Sequence, residues 1–473
     1  MSYAYEFLAV GIYFTLLLFI GLITYRKLNT ATDFIIGNRS LNYWLTALAA
    51  HASDMSSWLF LAYPASIYMH GFIGSWTAIG LIAGMYLNWQ FIAPKIRIAT
   101  EQYNSMTFSS FFENRLADRT GLIRVFSALV LIFFYTIYIS AGLKGMGELL
   151  ELLFNIPYQV GITIGISIVV PYLFAGGYRT LAWIDLFQGL FLLGVIIVIP
   201  LFLVKFVGGW EVVTSSMQVQ NLPLSIFPDT PQSWLYVLST ALGWGLGYFG
   251  LPHIVTKFMG IQNVSEIHKS KWVGMTWMVL SLGAATIAGA VGVAYFHGTL
   301  DNPEHVFIDS VKQTFHPFVV GFVLCAIVAA TINAMSSQIL VLCSSLTEDL
   351  YKRIFRSTAS SRELLLVSRF SVIVAAFVAL MIAMNKTSTI YGLVNYAWSG
   401  IGSSFGPLII LSLYSNRINR YGAWAGIISG ALIAAIWPWD KVLLPMIPAF
   451  AGSWLAILIV SRLTRNKSSN QVQ

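Results

Sequence analysis

Apolar residues in this chain gather into runs of about twenty, the length an α-helix needs to cross roughly 30 Å of hydrocarbon. The runs fall at roughly 7–25, 43–68, 74–93, 124–146, 158–176, 182–206, 234–256, 272–296, 317–346, 364–384, 390–414, 423–438 and 443–461, about thirteen spans in all. They are continuous rather than alternating, so they mark membrane spans and not the core of a soluble domain. Composition agrees: 57% of the 473 residues are hydrophobic and 10% are charged, where a soluble protein carries about 25% charged residues. Mean hydropathy is +0.74. The expected fold class is an all-α integral membrane protein.

The charges test the span count, because Lys and Arg collect in every second connection of a multi-pass protein. With the N-terminus outside, one side holds Arg26, Lys27, Arg39, Lys95, Arg97, Arg115, Arg119, Arg124, Arg179, Lys257, Lys269, Lys271, Lys352, Arg353, Arg356, Arg362, Arg369, Arg417, Arg420, Arg462, Arg465 and Lys467. Of the 27 basic residues only Lys144, Lys205, Lys312, Lys386 and Lys441 fall on the other. The alternation predicts an outside N-terminus and an inside C-terminus. It also accounts for the net charge of +8 without a nucleic-acid partner, since no basic cluster interleaved with aromatics stands outside the short loops. Phe7–Tyr25 lacks a basic flank before it and carries Arg26-Lys27 after it, which predicts a retained first span rather than a signal peptide. Cys325 and Cys343 lie on one predicted helix, about 27 Å apart along its axis, too far for a disulfide. No nucleophile elbow, His-Glu-x-x-His helix or phosphate loop is present, so an enzyme is not expected. No loop is long enough for a further domain, which places function inside the bundle.

Two spans break the rules of lipid. Asp54 lies mid-span within Ala49-Ala50-His51-Ala52-Ser53-Asp54-Met55-Ser56-Ser57-Trp58, where a carboxylate costs on the order of 2.5–3.5 kcal/mol on insertion scales. A helix unwound there offers carbonyls, hydroxyls and one negative charge, the oxygen donors a hard monovalent cation takes; polar glue to a neighbouring helix is the structural alternative. The other is Gly243-Trp244-Gly245-Leu246-Gly247-Tyr248-Phe249-Gly250-Leu251-Pro252-His253, whose glycines cost a helix about 1 kcal/mol each and whose proline costs about 3. Close helix packing is the structural alternative for the glycines, but it does not explain Pro252 with Trp244 and Tyr248 beside it. These spans are the second and seventh, the spacing expected of an inverted five-plus-five repeat with its site where two broken helices meet. Asp185 reads either as a first-turn acid complementing a helix dipole or as an ion ligand. Asn333, Ser336 and Ser337 read as polar glue or as ion ligands, and His51 as a bundle histidine or a proton acceptor.

These residues carry a resemblance. Ala52-Ser53-Asp54-Met55-Ser56, the Gly243–Gly250 segment with Pro252-His253, Thr347-Glu348-Asp349-Leu350-Tyr351-Lys352, and Arg420-Tyr421-Gly422-Ala423 with Gly426 resemble the sodium:solute symporter family over nearly the whole chain, its sodium/proline branch most of all. The resemblance implies a LeuT-like core: an extra first helix at 7–25, repeat one at about 43–206, repeat two at about 234–414 and two C-terminal helices at about 423–461. It implies sodium held by Ala52, Met55 and Ala330 carbonyls with Asp54 required, and proline contacted by Ser56, Trp58, Tyr138, Trp244, Tyr248 and Pro252. The family completes its sodium site with two neighbouring hydroxyl residues; here those positions are Asn333 and Ala334, so Asn333 is the candidate replacement ligand. Asp185, Ser336 and Ser337 match a further sodium site of the sialic-acid branch. The expected activity is secondary active symport of proline or a similar small amino acid with Na+ as coupling ion and no other cofactor. H+ coupling through His51 and passive facilitation are the alternatives. A multi-pass monomer in the lipid of a bacterial inner (plasma) membrane completes the expectation.

Overall fold

The computed structural model describes residues 3–24, 36–175, 178–386, 388–438 and 442–465. Among them the chain is helical with no β-strand: α1 Ala4–Thr24, α2 Tyr43–Ala52, α3 Ala62–His70, α4 Trp76–Leu87, α5 Ala93–Gln102, α6 Phe108–Arg115, α7 Leu122–Phe154, α8 Tyr158–Ala175, α9 Tyr178–Phe206, α10 Trp210–Val219, α11 Pro231–Gly245, α12 Pro252–Met259, α13 Ile267–Phe296, α14 Val306–Thr314, α15 Pro317–Ser344, α16 Ser361–Ala383, α17 Ile390–Tyr414, α18 Arg420–Ile436 and α19 Met446–Leu463. A π-helical turn at Asn88–Ile92 joins α4 to α5, and another, Ser345–Phe355, prolongs α15. Arg26, Lys27, Lys441 and Lys467 of the charge pattern lie outside the described residues, as does the side chain of Arg179.

Both expected breaks are present, and local chemistry explains each. In the second span the Asn42 side chain caps α2 by accepting from Leu45 N at 2.9 Å, and the helix stops at Ala52. Ser53 Oγ returns to the Ala49 carbonyl, Asp54 and Met55 N both donate to His51 O, and extended Ser56 opens a 3-10 turn by accepting from Trp58 N at 3.2 Å. Short polar side chains compete for backbone groups in this way and so end helices. In the seventh span α11 tightens into a 3-10 turn at Leu246–Gly250. Leu251, held extended (φ −87, ψ 106) as a residue before proline is, hands over to α12, which Pro252 starts at its first turn.

The glycines serve packing as well as breakage. A Cβ on Gly84 would overlap the Gly245 carbonyl, and one on Gly247 would overlap the Trp398 indole. Thus α4 and α17 reach the backbone of the broken span itself. The two broken spans also touch: α12 packs on α2, and a parallel bridge pairs Leu41 with Ile261, with Leu41 N donating to Gly260 O and Gln262 N to Leu41 O.

Eight helical stretches among the described residues are long and apolar enough to cross a membrane, and Tyr158–Val170 and Arg420–Ile436 are shorter apolar helices. Breakage divides α11 from α12, and α17 is rich in Gly and Ser; these are the spans a length-and-hydropathy test passes over. The lipid-like faces are visible in exposed Leu18, Phe19 and Leu22 on α1 and Phe370 and Phe377 on α16. Two expectations change. The sixth span starts at Tyr178 rather than 182, so Asp185 is two turns inside α9 and has no first-turn role; Tyr178-Arg179-Thr180 is too polar to register as span. The polar connections also contain short helices α6, α10 and α14, the first closed by a Thr107–Ser110 capping box.

Gly84→Ala should lower the thermal unfolding midpoint in detergent by several degrees, as overpacking of about 1–3 kcal/mol does. Gly194→Ala, within α9 and with a methyl that would meet nothing within 4 Å, should leave it unchanged or raise it slightly; equal midpoints for the two would count against the close approach of α4 to α11.

Candidate functional site

The two breaks are tied by one hydrogen bond: the Tyr248 hydroxyl, from the seventh-span turn, donates to the Asp54 carboxylate just past α2. Asp54 is 7% exposed. A buried carboxylate without a partner is costly, and the phenol is the side chain that offsets this here. Tyr248 is in turn fixed at its carbonyl by Asn88 Nδ2 at 2.8 Å and edge-on to Trp398 at 5.1 Å.

Beside this bond stands an aromatic cluster. Trp58 stacks on Tyr63 at 5.3 Å and lies 5.1 Å from Trp244. Trp244 Nε1 donates to Tyr391 Oη at 3.1 Å, and Trp398 Nε1 donates to the Trp244 carbonyl at 3.0 Å. Thus Asp54, Trp58, Trp244 and Tyr248 are brought together. Tyr138 and Pro252 meet the site one layer away: Tyr138 packs edge-on to His253 at 6.0 Å, the residue after Pro252. Ser56 is occupied as a turn cap. Tyr391, Trp398, Tyr135 and His253 were not anticipated, although Tyr391 and Trp398 are seven residues apart on a helix dense in Gly and Ser, a period that could have marked them.

Across from the α2 end lies α15, which packs against both α2 and the Ser57–Leu59 turn. Ala52 supplies the final carbonyl of α2, where a helix leaves acceptors without partners, and Met55 follows in the unwound stretch. On α15, Ala330 and Asn333 are fully buried. Neither the Oδ1 nor the Nδ2 of Asn333 has a hydrogen-bond partner, which is rare for a buried amide. Ala334 is apolar and buried. Among the described residues no group of three or more His, Cys, Asp or Glu is placed to hold a metal; the donors on hand are carbonyls, an amide and one carboxylate, a set suited to a hard monovalent ion.

The other candidates are engaged. Asp185 on α9 is ion-paired to Lys257 on α12 at 3.3 Å, both side chains being at most 3% exposed. Ser336 Oγ donates to its own helix at Ile332 O, 2.6 Å away, while Ser337 lines a cavity with Tyr178, His253, Thr256 and Lys257. His51 contacts other helices than α15: its Nε2 accepts from Trp89 Nε1 at 3.1 Å and its ring covers Gly274 of α13.

That cavity continues past Val341 and Ser345 to Asp349, and its far end is closed by charge. Glu113 on α6 pairs with Arg124, and with Arg353 at 2.9 Å. Arg124 reaches Asp349 at 3.6 Å, and Asp349 accepts from Thr107 and Ser345, each at 2.9 Å. At the opposite end of the bundle the Glu304 carboxylate caps α17, accepting from Tyr391 N at 3.2 Å and Ile390 N at 3.4 Å.

Known proteins share much of this sequence and this fold. The model of the sodium:solute symporter family matches residues 34–430. This chain belongs to the sodium:solute symporter family. It is 41% identical over 460 residues to the high-affinity proline transporter PutP of Bacillus subtilis (strain 168), covering 96% of this chain and 97% of that one. It is 36% identical over 477 residues to a sodium/proline symporter of Staphylococcus aureus (strain JH9), covering 97% and 93%. The solved structure of a Na+-coupled sialic acid symporter, substrate-bound and outward-open, superposes with a TM-score of 0.81 at 19% identity, 97% of each chain being covered. The fold is LeuT-like. The chain is a multi-pass membrane transporter working by secondary active solute symport, and not an enzyme.

Releasing the charged closure should open the cavity. In a Cys325→Ser, Cys343→Ser background, Val341→Cys should react several-fold faster with a water-soluble maleimide when Glu113→Gln is added; an unchanged labelling rate would show that Glu113 does not hold the cavity shut.

Proposed function

We propose that this chain couples inward Na+ flow to uptake of L-proline or a closely similar small amino acid across a bacterial inner membrane. The carrying observation is the Asp54–Tyr248 hydrogen bond, which joins an oxygen-rich helix break to an aromatic one. The names of the Bacillus and Staphylococcus relatives supply the solute and the ion. An aromatic wall of Trp58, Trp244 and Tyr248 suits a pyrrolidine ring, and exposed helix ends suit charged groups.

In this reading the spans number thirteen, with the N-terminus outside and the C-terminus inside. The first is followed by repeats at about 43–206 and 234–414 and by two C-terminal helices at about 423–461, working as a monomer. Sodium lies between the Ala52 and Met55 carbonyls, Asp54, the Ala330 carbonyl and Asn333 Oδ1, the unpartnered amide taking the part of the missing hydroxyls. Ser56, Trp58, Tyr138, Trp244, Tyr248 and Pro252 surround the solute. Sodium binds the outward-open form more tightly, solute then fills the pocket, and occlusion and inward opening follow; the ion shifts the population by that difference in affinity alone. The engagement of His51 with Trp89 favours sodium over a proton at this site.

At the further cation position, Asp185 already has a positive partner in Lys257. We read the Lys257 ammonium as a resident cation standing where a second sodium would otherwise sit beside Ser336 and Ser337, which gives one coupling ion per solute.

Proteoliposomes should accumulate labelled proline under an inward sodium gradient and not under a proton gradient alone; counterflow without accumulation would instead make the chain a facilitator. Asp54→Asn should raise half-activating sodium about thirtyfold, the equivalent of about 2 kcal/mol. Asn333→Leu should raise it about tenfold while Asn333→Ser stays within about threefold; wild-type activation in the Leu variant would remove Asn333 from the ion site.

Breaking a buried pair strands a charge at a cost of about 3–5 kcal/mol, a cost that a second bound sodium relieves. Lys257→Met should therefore raise the Hill coefficient for sodium from one toward two and the measured Na+:proline flux ratio with it. A ratio that stays at one would show the pair to be structural.

A further inference from the structure

Helix α17 carries Tyr391, Asn395, Trp398 and Gly402 at steps of four, three and four residues, a single stripe of an α-helix. Contacts fix what the stripe faces. Tyr391 Oη accepts from Trp244 Nε1 at 3.1 Å, Trp398 Nε1 donates to the Trp244 carbonyl at 3.0 Å, and Gly402 lies against the Gly247 backbone. Asn395 therefore sits between two residues that both grip Trp244, whose ring lies 5.1 Å from Trp58.

Asn395 is 1% exposed, and neither its Oδ1 nor its Nδ2 has a hydrogen-bond partner; Trp58 Nε1 in the same cluster has none either. The neighbouring indoles of Trp244 and Trp398 are both satisfied. A buried polar group left without a partner costs about 1–3 kcal/mol, so a carboxamide with both ends free is kept at a price unless something binds it.

We infer that Asn395 reads the charged end of a zwitterionic solute: Nδ2 donates to the carboxylate, Oδ1 accepts from the ammonium, and Trp58 Nε1 is a second donor to the carboxylate. A planar amide offers donor and acceptor side by side, which the aromatic wall does not. Rings select the solute's apolar body; the amide selects an α-amino or α-imino acid over an acid or an amine of the same shape. A site built on such bonds rejects analogues lacking one pole, because its own groups are then left unpaired. The inference rests on the amino-acid reading above.

The test uses the full chain in proteoliposomes with labelled L-proline. Asn395→Leu, of similar size and apolar, should raise the KM for proline at least tenfold and leave half-activating sodium, measured at saturating proline, within about twofold. In the wild type, proline methyl ester (no carboxylate) and tetrahydrofuran-2-carboxylate (no ammonium) should each compete at least tenfold more weakly than proline; in the Leu variant that gap should shrink to about threefold or less. A Leu variant with wild-type KM and an unaltered gap overturns the assignment of Asn395 alone. A wild type showing no sodium-driven proline uptake overturns the solute reading and this one together. Should the Leu variant fail to fold, Asn395→Ser carries the same comparison: a raised KM with a narrowed gap supports the assignment, and no change in either overturns it.

Discussion

Backbone N–H and C=O groups inside a bilayer must find partners within the protein, and a transporter that unwinds two of its helices multiplies the groups to be partnered. The structure meets this constraint with side chains from other helices. Asn88 donates to the Tyr248 carbonyl and Trp398 to that of Trp244, while Tyr135 Oη accepts from His253 N at 3.2 Å. At the other break the work is local, through Ser53 and Ser56. The difference follows from composition: a glycine-rich break has no short polar side chains of its own and depends on its neighbours, whereas a serine-rich break closes on itself.

This asymmetry shapes the division of labour. The self-sufficient break is where the proposed function places the ion, with Asn333 opposite. The dependent break is surrounded by the aromatic and amide side chains that stabilise it, the same side chains that the proposed function makes the wall of the solute pocket. Asp54 and Tyr248 connect the two breaks through one hydrogen bond. On the proposed function, coupling between ion and solute then needs no long relay, since one hydrogen bond joins the two breaks.

Much of this was legible in the sequence because the relevant signals were violations of a strong rule. A carboxylate in mid-span and a run of glycines ending in proline are conspicuous against lipid-compatible residues, and they located both breaks. Family membership followed from the same segments. What stayed hidden was pairing at a distance. Nothing local says that Asp185 faces Lys257, seventy-two residues onward, nor that His51 turns to Trp89 and Gly274 while its near neighbour Asp54 turns to Tyr248. Helix ends were misplaced where polar residues such as Tyr178-Arg179-Thr180 begin a span, because hydropathy reports lipid contact and not helicity. Asn395 escaped notice since an amide on a Gly- and Ser-rich helix is unremarkable until its neighbours are seen to be satisfied and it is not.

The short parallel bridge between Leu41 and Ile261 has a mechanical consequence. It lies just before α2 and just after α12, and Arg97 reinforces it by donating to Ile261 O at 2.7 Å. The two half-helices that share one end of the bundle are thus joined through their backbones, whereas among the described residues no such bridge links their continuations α3 and α11. A pair joined in this way is built to move as a single lever about the two unwound segments. Opening one half-helix without the other would break these backbone hydrogen bonds, at about 1 kcal/mol each, which favours movement of the two together.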